Sequence, residues 1–208
     1  MRRFLRRFFA SLFLDFPVPI LQDWARKLDT DIPMRFDIWF AQNILGINRG
    51  VYWPVHYASV VTHPENIYIG VGTAPGLAPG CYIQGGGKVY IGDYTLLAPN
   101  VGIISANHDL YNTRTHLPDE VRIGNYCWIS MNSTIMPGVT LGDHTVVAAN
   151  SVVTTSFPEG YIVIGGVPAK IIRQLDQEKC QEYKDKYEYH GYVPAVKFED
   201  FRKRKLKV

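Results

Sequence analysis

Residues 123–153 read IGNYCWISMNSTIMPGVTLGDHTVVAANSVV, and every sixth position in this stretch is Ile, Leu or Val. These positions, which we call anchors, are Ile123, Ile129, Ile135, Leu141, Val147 and Val153. A period of six fits neither the 3.6-residue turn of a helix nor the two-residue alternation of a strand. It is typical of a parallel β-helix, in which short strands meet at corners and stacked coils bury a continuous core.

The same spacing occurs earlier in the chain, in one clear block and in one looser block: Ile91, Leu97 and Ile103, then Val55, Val61 and Ile67. We therefore predict an all-β solenoid, a parallel β-helix, over residues 51–173. A helical segment at 1–50 would precede it, and a helical, basic tail at 174–208 would follow, with its helix-like pattern between residues 175 and 190. The alternative is a sandwich of ordinary short strands, which does not require a strict six-residue frame.

Two interruptions break the frame. Twenty residues separate Ile103 from Ile123, which predicts a protruding loop at about residues 106–120. A long polar loop on a rigid solenoid is a usual place for function. This one carries His108, Asp109, Arg114, His116, Asp119 and Glu120. The second interruption, residues 70–87, is rich in glycine.

The composition argues against several classes of protein. Of 208 residues, 47% are hydrophobic and 20% are charged, as in an ordinary globular protein. The net charge of +3 predicts no nucleic-acid partner. The three cysteines lack metal-ligand spacing, so we expect free thiols in a reducing compartment and no metal. No apolar run approaches the length of a membrane-spanning helix, so we expect a cytoplasmic protein.

Five segments resemble the hexapeptide-repeat acyltransferases, in the branch of galactoside, maltose, serine and surface-polysaccharide O-acetyltransferases. They are Ala98-Pro99-Asn100-Val101, Asn107-His108, the run from Ile123 to Ile129, the run from Pro137 to Asp143, and Gly166-Val167-Pro168-Ala169-Lys170. The resemblance implies a left-handed β-helix, a homotrimer with active sites at subunit interfaces, and acetyl-coenzyme A as the donor.

Transfer of an acetyl group from a thioester to an alcohol needs a base, and a neutral histidine can supply it at pH 7. His108 matches the catalytic histidine of the family. The other five histidines are expected to be structural, and among them His116 is the best candidate for a second functional histidine because it shares the loop with His108. Asn107 and Trp128 match positions beside the acceptor. The sequence does not identify the residue that orients His108.

For the donor, the resemblance implies that pantetheine lies along the groove between neighbouring coils. Small residues at the groove would permit its approach, and cations at the end of the coils would meet its phosphates. The matching residues are Ala149, Thr154, Thr155, Gly165, Gly166, Lys170 and Arg173. The alternative is that the Gly165-Gly166 segment merely ends the coil and that Lys170 is a solvated charge.

Three positions need separate comment. Ungapped counting places Ala78 where the galactoside branch has an active-site asparagine, and Met131 replaces a small polar residue of that branch. Cys127 lies at a small inward position, so we expect it to contribute to packing.

The first sixteen residues alternate arginines with apolar residues at helical spacing. This pattern predicts a basic amphipathic helix, which suits an anionic membrane surface or a neighbouring surface of the protein. The membrane alternative would favour a lipid-linked glycan as acceptor.

We therefore expect an acetyl-coenzyme A-dependent O-acetyltransferase that acts on a saccharide hydroxyl, in surface polysaccharide biosynthesis. Two alternatives stay open. One is an N-acetyltransferase that acts on an amino sugar and uses a similar base, and the other is a non-catalytic β-helix scaffold. A carbonic anhydrase on this fold needs three histidines around zinc, and no third histidine has an evident place beside His108 and His116.

Overall fold

The computed structural model describes Ile32 and residues 35–208. Three parallel sheets dominate this part of the chain. Sheet A contains β1 (Val60–Thr62), β3 (Tyr82–Gln84), β6 (Gly102–Ile104), β11 (Thr134–Ile135) and β14 (Val152–Val153). Sheet B contains β2 (Ile67–Ile69), β4 (Lys88–Ile91), β9 (Glu120–Ile123) and β12 (Thr140–Leu141). Sheet C contains β5 (Leu96–Leu97), β10 (Trp128–Ile129), β13 (Val146–Val147), β15 (Ile162–Gly166) and the antiparallel β16 (Ala169–Gln174).

From β3 to β14, the chain visits the three sheets in the order A, B, C and then returns to A, apart from the two-stranded insertion after β6. In the regular part, one circuit takes eighteen residues, so that Ile135 pairs with Val153 and Ile129 with Val147. Three anchors six residues apart therefore fall on three successive sheets. This arrangement confirms the prediction of a chain built mainly from parallel β-sheets.

The structure also changes part of the predicted frame. In the looser block, which the sequence frame ended at Ile67, it is Ile69 that lies in register with Ile91. Two further anchor positions were not predicted: Ile83, inside the glycine-rich interruption, pairs with Ile103, and Ile164 pairs with Val147. The frame thus continues through the segments where the sequence pattern is blurred.

The core is a column of buried aliphatic side chains along the inside of the three sheets. Ile129, Ile135 and Val147 are fully buried. Burial of one such side chain contributes about 1.5–3 kcal/mol relative to its exposure. Cys127 is buried in the same column, and burial raises the pKa of its thiol to about 12, which agrees with the expected packing role.

Side chains stack along two of the edges where sheets meet. At the edge between sheets B and C, the rings of Tyr94, Tyr126, His144 and Tyr161 stack in sequence at centroid distances of 5.0–5.5 Å. At the edge between sheets C and A, the side chain of Asn100 donates to Asn132, which donates to Asn150. All seven residues have a left-handed backbone conformation, which the corner of each coil requires.

Short elements flank the coils. On the N-terminal side lies α1 (Phe36–Asn43), and a 3-10 turn (Pro64–Asn66) precedes β2. After the last coil come a 3-10 turn (Gln177–Lys179), the antiparallel pair β17 (Tyr189–His190) and β18 (Val193–Pro194), and α2 (Ala195–Lys205). Within the described chain, no helix is long and apolar enough to cross a membrane.

The predicted position of the C-terminal helix is wrong. Residues 175–190 contain the 3-10 turn, irregular chain and β17, and the helix instead covers Ala195–Lys205, where the basic run lies. The physical reason is tertiary contact, because Tyr183 packs against Tyr94 and Tyr126 and holds this segment across the coils. The amphipathic segment predicted at residues 1–16 lies outside the described residues.

Candidate functional site

The insertion between Ile103 and Ile123 is a β-hairpin. Its strands are β7 (Ala106–His108) and β8 (His116–Pro118), and His108 pairs with His116 in register. Because β6 belongs to sheet A and β9 to sheet B, the hairpin projects from the edge between these two sheets. Both of its histidines are exposed.

Close backbone contacts hold the base of the hairpin. The amide of Asp119 donates to the carbonyl of Ser105 at 2.8 Å, and the hydroxyl of Ser105 accepts from the amide of Gly87 at 3.0 Å. A Cβ on Gly87 would overlap the carbonyl oxygens of Asp119 and Ser105. The glycine-rich interruption therefore has a structural use, since it lets the chain pass beneath the hairpin.

The imidazole of His108 is oriented by backbone. Its Nδ1 lies 2.5 Å from the carbonyl oxygen of Thr113. A carbonyl oxygen can only accept, so Nδ1 carries a proton in this contact, and in the neutral ring Nε2 keeps its lone pair. The ring centroid of His116 lies 4.4 Å from that of His108. The group that orients His108, which the sequence did not identify, is thus the main-chain carbonyl of Thr113.

The tip of the hairpin is fixed by one carboxylate. Asp109 Oδ1 accepts from the amides of Tyr111 and Asn112 at 2.9 and 2.8 Å. This Asx turn brings the carbonyl of Thr113 back toward the imidazole of His108. Asn107, predicted to lie beside the acceptor, is exposed next to His108 on the same strand.

A cavity of about 570 Å³ lies between the hairpin and the first coils. It is lined by Thr62, His63, Tyr82, Gln84, Gly86, Ala106, His116 and Pro118. Gln84 fixes one wall, because its side-chain oxygen accepts from the amide of Ala106 at 2.9 Å. The Thr62 hydroxyl is buried and finds no hydrogen-bond partner within the described chain.

The sequence did not single out Thr62, Tyr82 or Gln84 as site residues, although the predicted loop included His116. Thr62 and Tyr82 lie in the two coils before the hairpin and carry no recognisable motif. The available signal was the glycine-rich segment, since a run of three glycines at Gly85-Gly86-Gly87 indicates a close approach of another part of the chain.

The structure brings together three of the residues predicted to bind the donor. Ala149 follows β13, and Gly165 and Gly166 end β15, so all three lie at the edge between sheets C and A on adjacent coils. Lys170 pairs with Gly165 across the β15–β16 turn, and both Lys170 and Arg173 are exposed. A Cβ on Gly166 would meet only the carbonyl of Pro168, at 3.4 Å, so this edge is open.

Other predicted residues lie elsewhere on the chain. Thr154 and Thr155 follow β14 at the edge between sheets A and B, which is the edge that carries the hairpin. Trp128 is half exposed on the outer face of sheet C. In a three-sided coil, this face lies opposite the hairpin edge, so a single chain does not place Trp128 beside His108.

Metal ligands do not cluster in the part of the chain that the structure describes. Groups of three or more His, Cys, Asp or Glu side chains that could hold an ion are absent from it. The pair formed by His108 and His116 has no third ligand there.

The repeat matches a known family model. Residues 120–155 match "Bacterial transferase hexapeptide (six repeats)", so the predicted hexapeptide repeat is confirmed. Among curated proteins, the galactoside O-acetyltransferase of Escherichia coli is 38% identical over 102 residues, which are 47% of this chain and 50% of that protein. A putative lipopolysaccharide biosynthesis O-acetyl transferase of the same organism is 39% identical over 104 residues, which are 44% of this chain and 53% of that protein. The chain spans about half the length of the curated relatives it matches.

Solved structures of similar fold extend further along the chain. A galactoside acetyltransferase in complex with coenzyme A has a TM-score of 0.56 at 24% identity, covering 88% of this chain and 84% of that one. A maltose O-acetyltransferase from Clostridium difficile 630 has a TM-score of 0.53 at 23% identity, covering 84% of this chain and 86% of that one. At these identities, the similarity shows the fold alone.

Proposed function

We propose that this protein is an acetyl-coenzyme A-dependent O-acetyltransferase that acetylates a sugar hydroxyl, in surface polysaccharide biosynthesis, with His108 as its general base. The similarity to galactoside and lipopolysaccharide O-acetyltransferases supports this reaction class. The coils would form the left-handed β-helix that the resemblance to this family implies.

The observation that carries the proposal is the contact between His108 Nδ1 and the Thr113 carbonyl. It leaves Nε2 as the basic nitrogen of a neutral imidazole at an exposed position. Nε2 would take the proton of the acceptor hydroxyl as its oxygen attacks the thioester carbonyl. The thiolate of coenzyme A then leaves and receives that proton from the imidazolium, so the enzyme returns to its starting state.

The cavity beside the hairpin would hold the acceptor. Its volume of about 570 Å³ suits a sugar unit. The half-exposed ring of Tyr82 offers an apolar surface for the face of a pyranose, and the exposed imidazole of His116 offers a hydrogen-bond partner for a sugar hydroxyl. Asn107 would contribute at the mouth of the cavity.

The donor would lie at the edge between sheets C and A. Ala149, Gly165 and Gly166 leave room for the pantetheine arm, and Lys170 and Arg173 supply cations for its phosphates. Coenzyme A supplies the activated acetyl group as a thioester, so no covalent enzyme intermediate is needed.

This division of residues between two edges supports a homotrimer. His108, Thr154 and Thr155 at one edge of a chain would meet Ala149, Gly166 and Trp128 of a neighbouring copy. Each site would then need two subunits, with the base from one and the donor groove from the other. In the same proposal, residues 1–16 contact the inner face of the membrane, where a lipid-linked glycan is the acceptor.

The test is release of coenzyme A thiol from acetyl-coenzyme A in the presence of mono- and oligosaccharides or extracted glycolipid. We expect release to need an acceptor and to fall by about 10²–10⁴-fold in His108→Ala, because general-base catalysis has that range. His116→Ala is the comparison variant, since it removes a ring that lines the acceptor cavity and leaves the Thr113 contact in place; it should raise the KM for the acceptor more than it lowers kcat.

Three results would contradict the proposal. Release that survives His108→Ala but not His116→Ala would assign the base to His116. Acceptance of glucosamine but not of its N-acetylated form would favour N-acetyl transfer. A wild-type chain that neither binds coenzyme A nor releases thiol would be a scaffold.

A further inference from the structure

The end of the solenoid that begins with β1 and β2 exposes an apolar surface that the proposed acetyl transfer does not use. It is formed by α1 and the turn that follows this helix. Its members, which we call the first-coil patch, have 40–63% of their surface exposed. They are Phe40, Ile44, Leu45 and Ile47.

Helix α1 is apolar on both faces, because Ile38 and Ala41 are buried while Phe40 is exposed. A helix on a water-exposed surface normally has a polar outer face. Here the polar Gln42 is buried, and its amide donates to the carbonyls of Val51 and Trp53 at 3.1 and 2.9 Å. These bonds fix the helix with Phe40 on the outside. A fixed apolar surface of this kind indicates a binding partner.

Cationic side chains reach the same end of the coils. Residues 195–208 contain six Lys or Arg and only two acidic residues. The amide of Lys207 donates to the carbonyl of Glu65 at 2.6 Å, so the C-terminal segment ends against the turn that precedes β2. Lys203, Arg204 and Lys205 on α2 are exposed, as is Arg49 next to the patch.

The first seven residues of the sequence are also basic. Arg2, Arg3, Arg6 and Arg7 lie within the first seven residues, interspersed with apolar residues. The net positive charge of the chain is therefore concentrated at its two termini, and the described part of each terminus lies at the first coil.

We propose that the first-coil end of the solenoid docks on an anionic lipid bilayer. The first-coil patch enters the boundary between headgroups and acyl chains, and the basic side chains of α2 contact lipid phosphates. Apolar and cationic groups together match this surface, whereas the association of two identical cationic ends would be opposed by their charge. The proposal is independent of acetyl transfer and goes beyond the contact predicted for residues 1–16.

The test is sedimentation of the full chain with vesicles of phosphatidylcholine, with and without phosphatidylglycerol. We expect binding to the anionic vesicles that weakens as salt is added. Leu45→Glu, and the pair Lys203→Ala with Lys205→Ala, should each weaken binding by roughly tenfold or more. Both variants should melt as the wild type does, because all three side chains are exposed.

Matched controls lie away from this end. Leu110→Glu changes the same residue type at a more exposed position on the hairpin, and Arg114→Ala with Lys179→Ala removes the same charge from the hairpin and from the turn after β16. Both should bind as the wild type does. The proposal is overturned if the wild type does not bind, or if binding is unchanged in the Leu45 and Lys203 variants. It is equally overturned if Leu45→Glu lowers the oligomeric mass without lipid, which would identify a second copy as the occupant, or lowers the melting temperature, which would identify residues of the same chain.

Discussion

The coils between Ile123 and Val153 and the hairpin between Ala106 and Pro118 are built by different means. The coils repeat every eighteen residues and bury one aliphatic side chain on each sheet. The hairpin has no repeat, exposes most of its side chains, and depends on backbone contacts and on glycine at its base. The regular region thus supplies rigidity, and the irregular region supplies reactive groups at a fixed position. Loops on rigid scaffolds carry function for this reason.

The largest effect on stability should come from the regular region. Ile135→Ala removes a fully buried side chain from the middle of sheet A, and we expect the free energy of unfolding to fall by about 2–5 kcal/mol. Thr134→Ala, at the adjacent outward position, is the control and should change it by less than about 1 kcal/mol. Denaturant unfolding measures both. Equal losses would mean that the two faces of the strand are packed alike.

A smaller effect on stability should come from the base of the hairpin. In Gly87→Ala, the new methyl group would overlap the carbonyls of Asp119 and Ser105, so the hairpin must shift, at a cost of about 1–3 kcal/mol. We also expect thiol release to fall, because the shift moves His108. The control is Gly102→Ala, where the nearest atom would be a Thr134 methyl carbon at 3.4 Å. Wild-type activity in Gly87→Ala would show that the hairpin position does not matter.

The smallest effect should appear as a pH dependence of stability. Burial lowers the pKa of His190, although the carbonyl of Ile69 that accepts from its Nδ1 at 2.8 Å opposes this shift. Below about pH 6.5, the unfolded chain therefore binds more protons at this residue than the folded chain, and stability falls as the pH is lowered. Above that pH, the contribution is constant.

Thermal unfolding at about pH 7.5 and about pH 5.5 measures this contribution. We expect a smaller loss on acidification in His190→Gln than in the wild type. The same loss in both proteins would show that His190 does not couple its protonation to folding. This variant probes the packing of α2 beside the coils, because the ring of His190 stacks on that of Phe198 of α2 at a centroid distance of 3.7 Å.

The regular coils could be predicted from the sequence because their period is a local property. Each anchor from Ile123 to Val153 lies where its position in the frame requires. The C-terminal helix could not be placed in the same way. Residues 175–190 have a helix-like composition, but the Tyr94 hydroxyl accepts from the amide of Asp185 and helps to hold this segment against the coils in a non-helical conformation. Contacts across ninety-one residues override local propensity.

The candidate site was predictable only in part, for a similar reason. His108 was identified by its motif and by the interrupted frame. Its Thr113 partner depends on how the hairpin tip turns, and Thr62 reaches the cavity from two coils earlier. Neither contact leaves a periodic signal in the sequence. Whether His108, Asn107 and the donor residues act as proposed stays a prediction.

The asparagine column of Asn100, Asn132 and Asn150 sets a rule for how the length of this molecule can change. Asn100 donates to Asn132 and Asn132 donates to Asn150, and the anchors on all three sheets are aligned at the same time. An insertion or deletion inside a coil would misalign every later rung, unless it removed or added a whole turn of eighteen residues or was looped out at an edge, as the hairpin is. The solenoid can therefore lengthen or shorten only in whole turns, while its edges accept segments of any size.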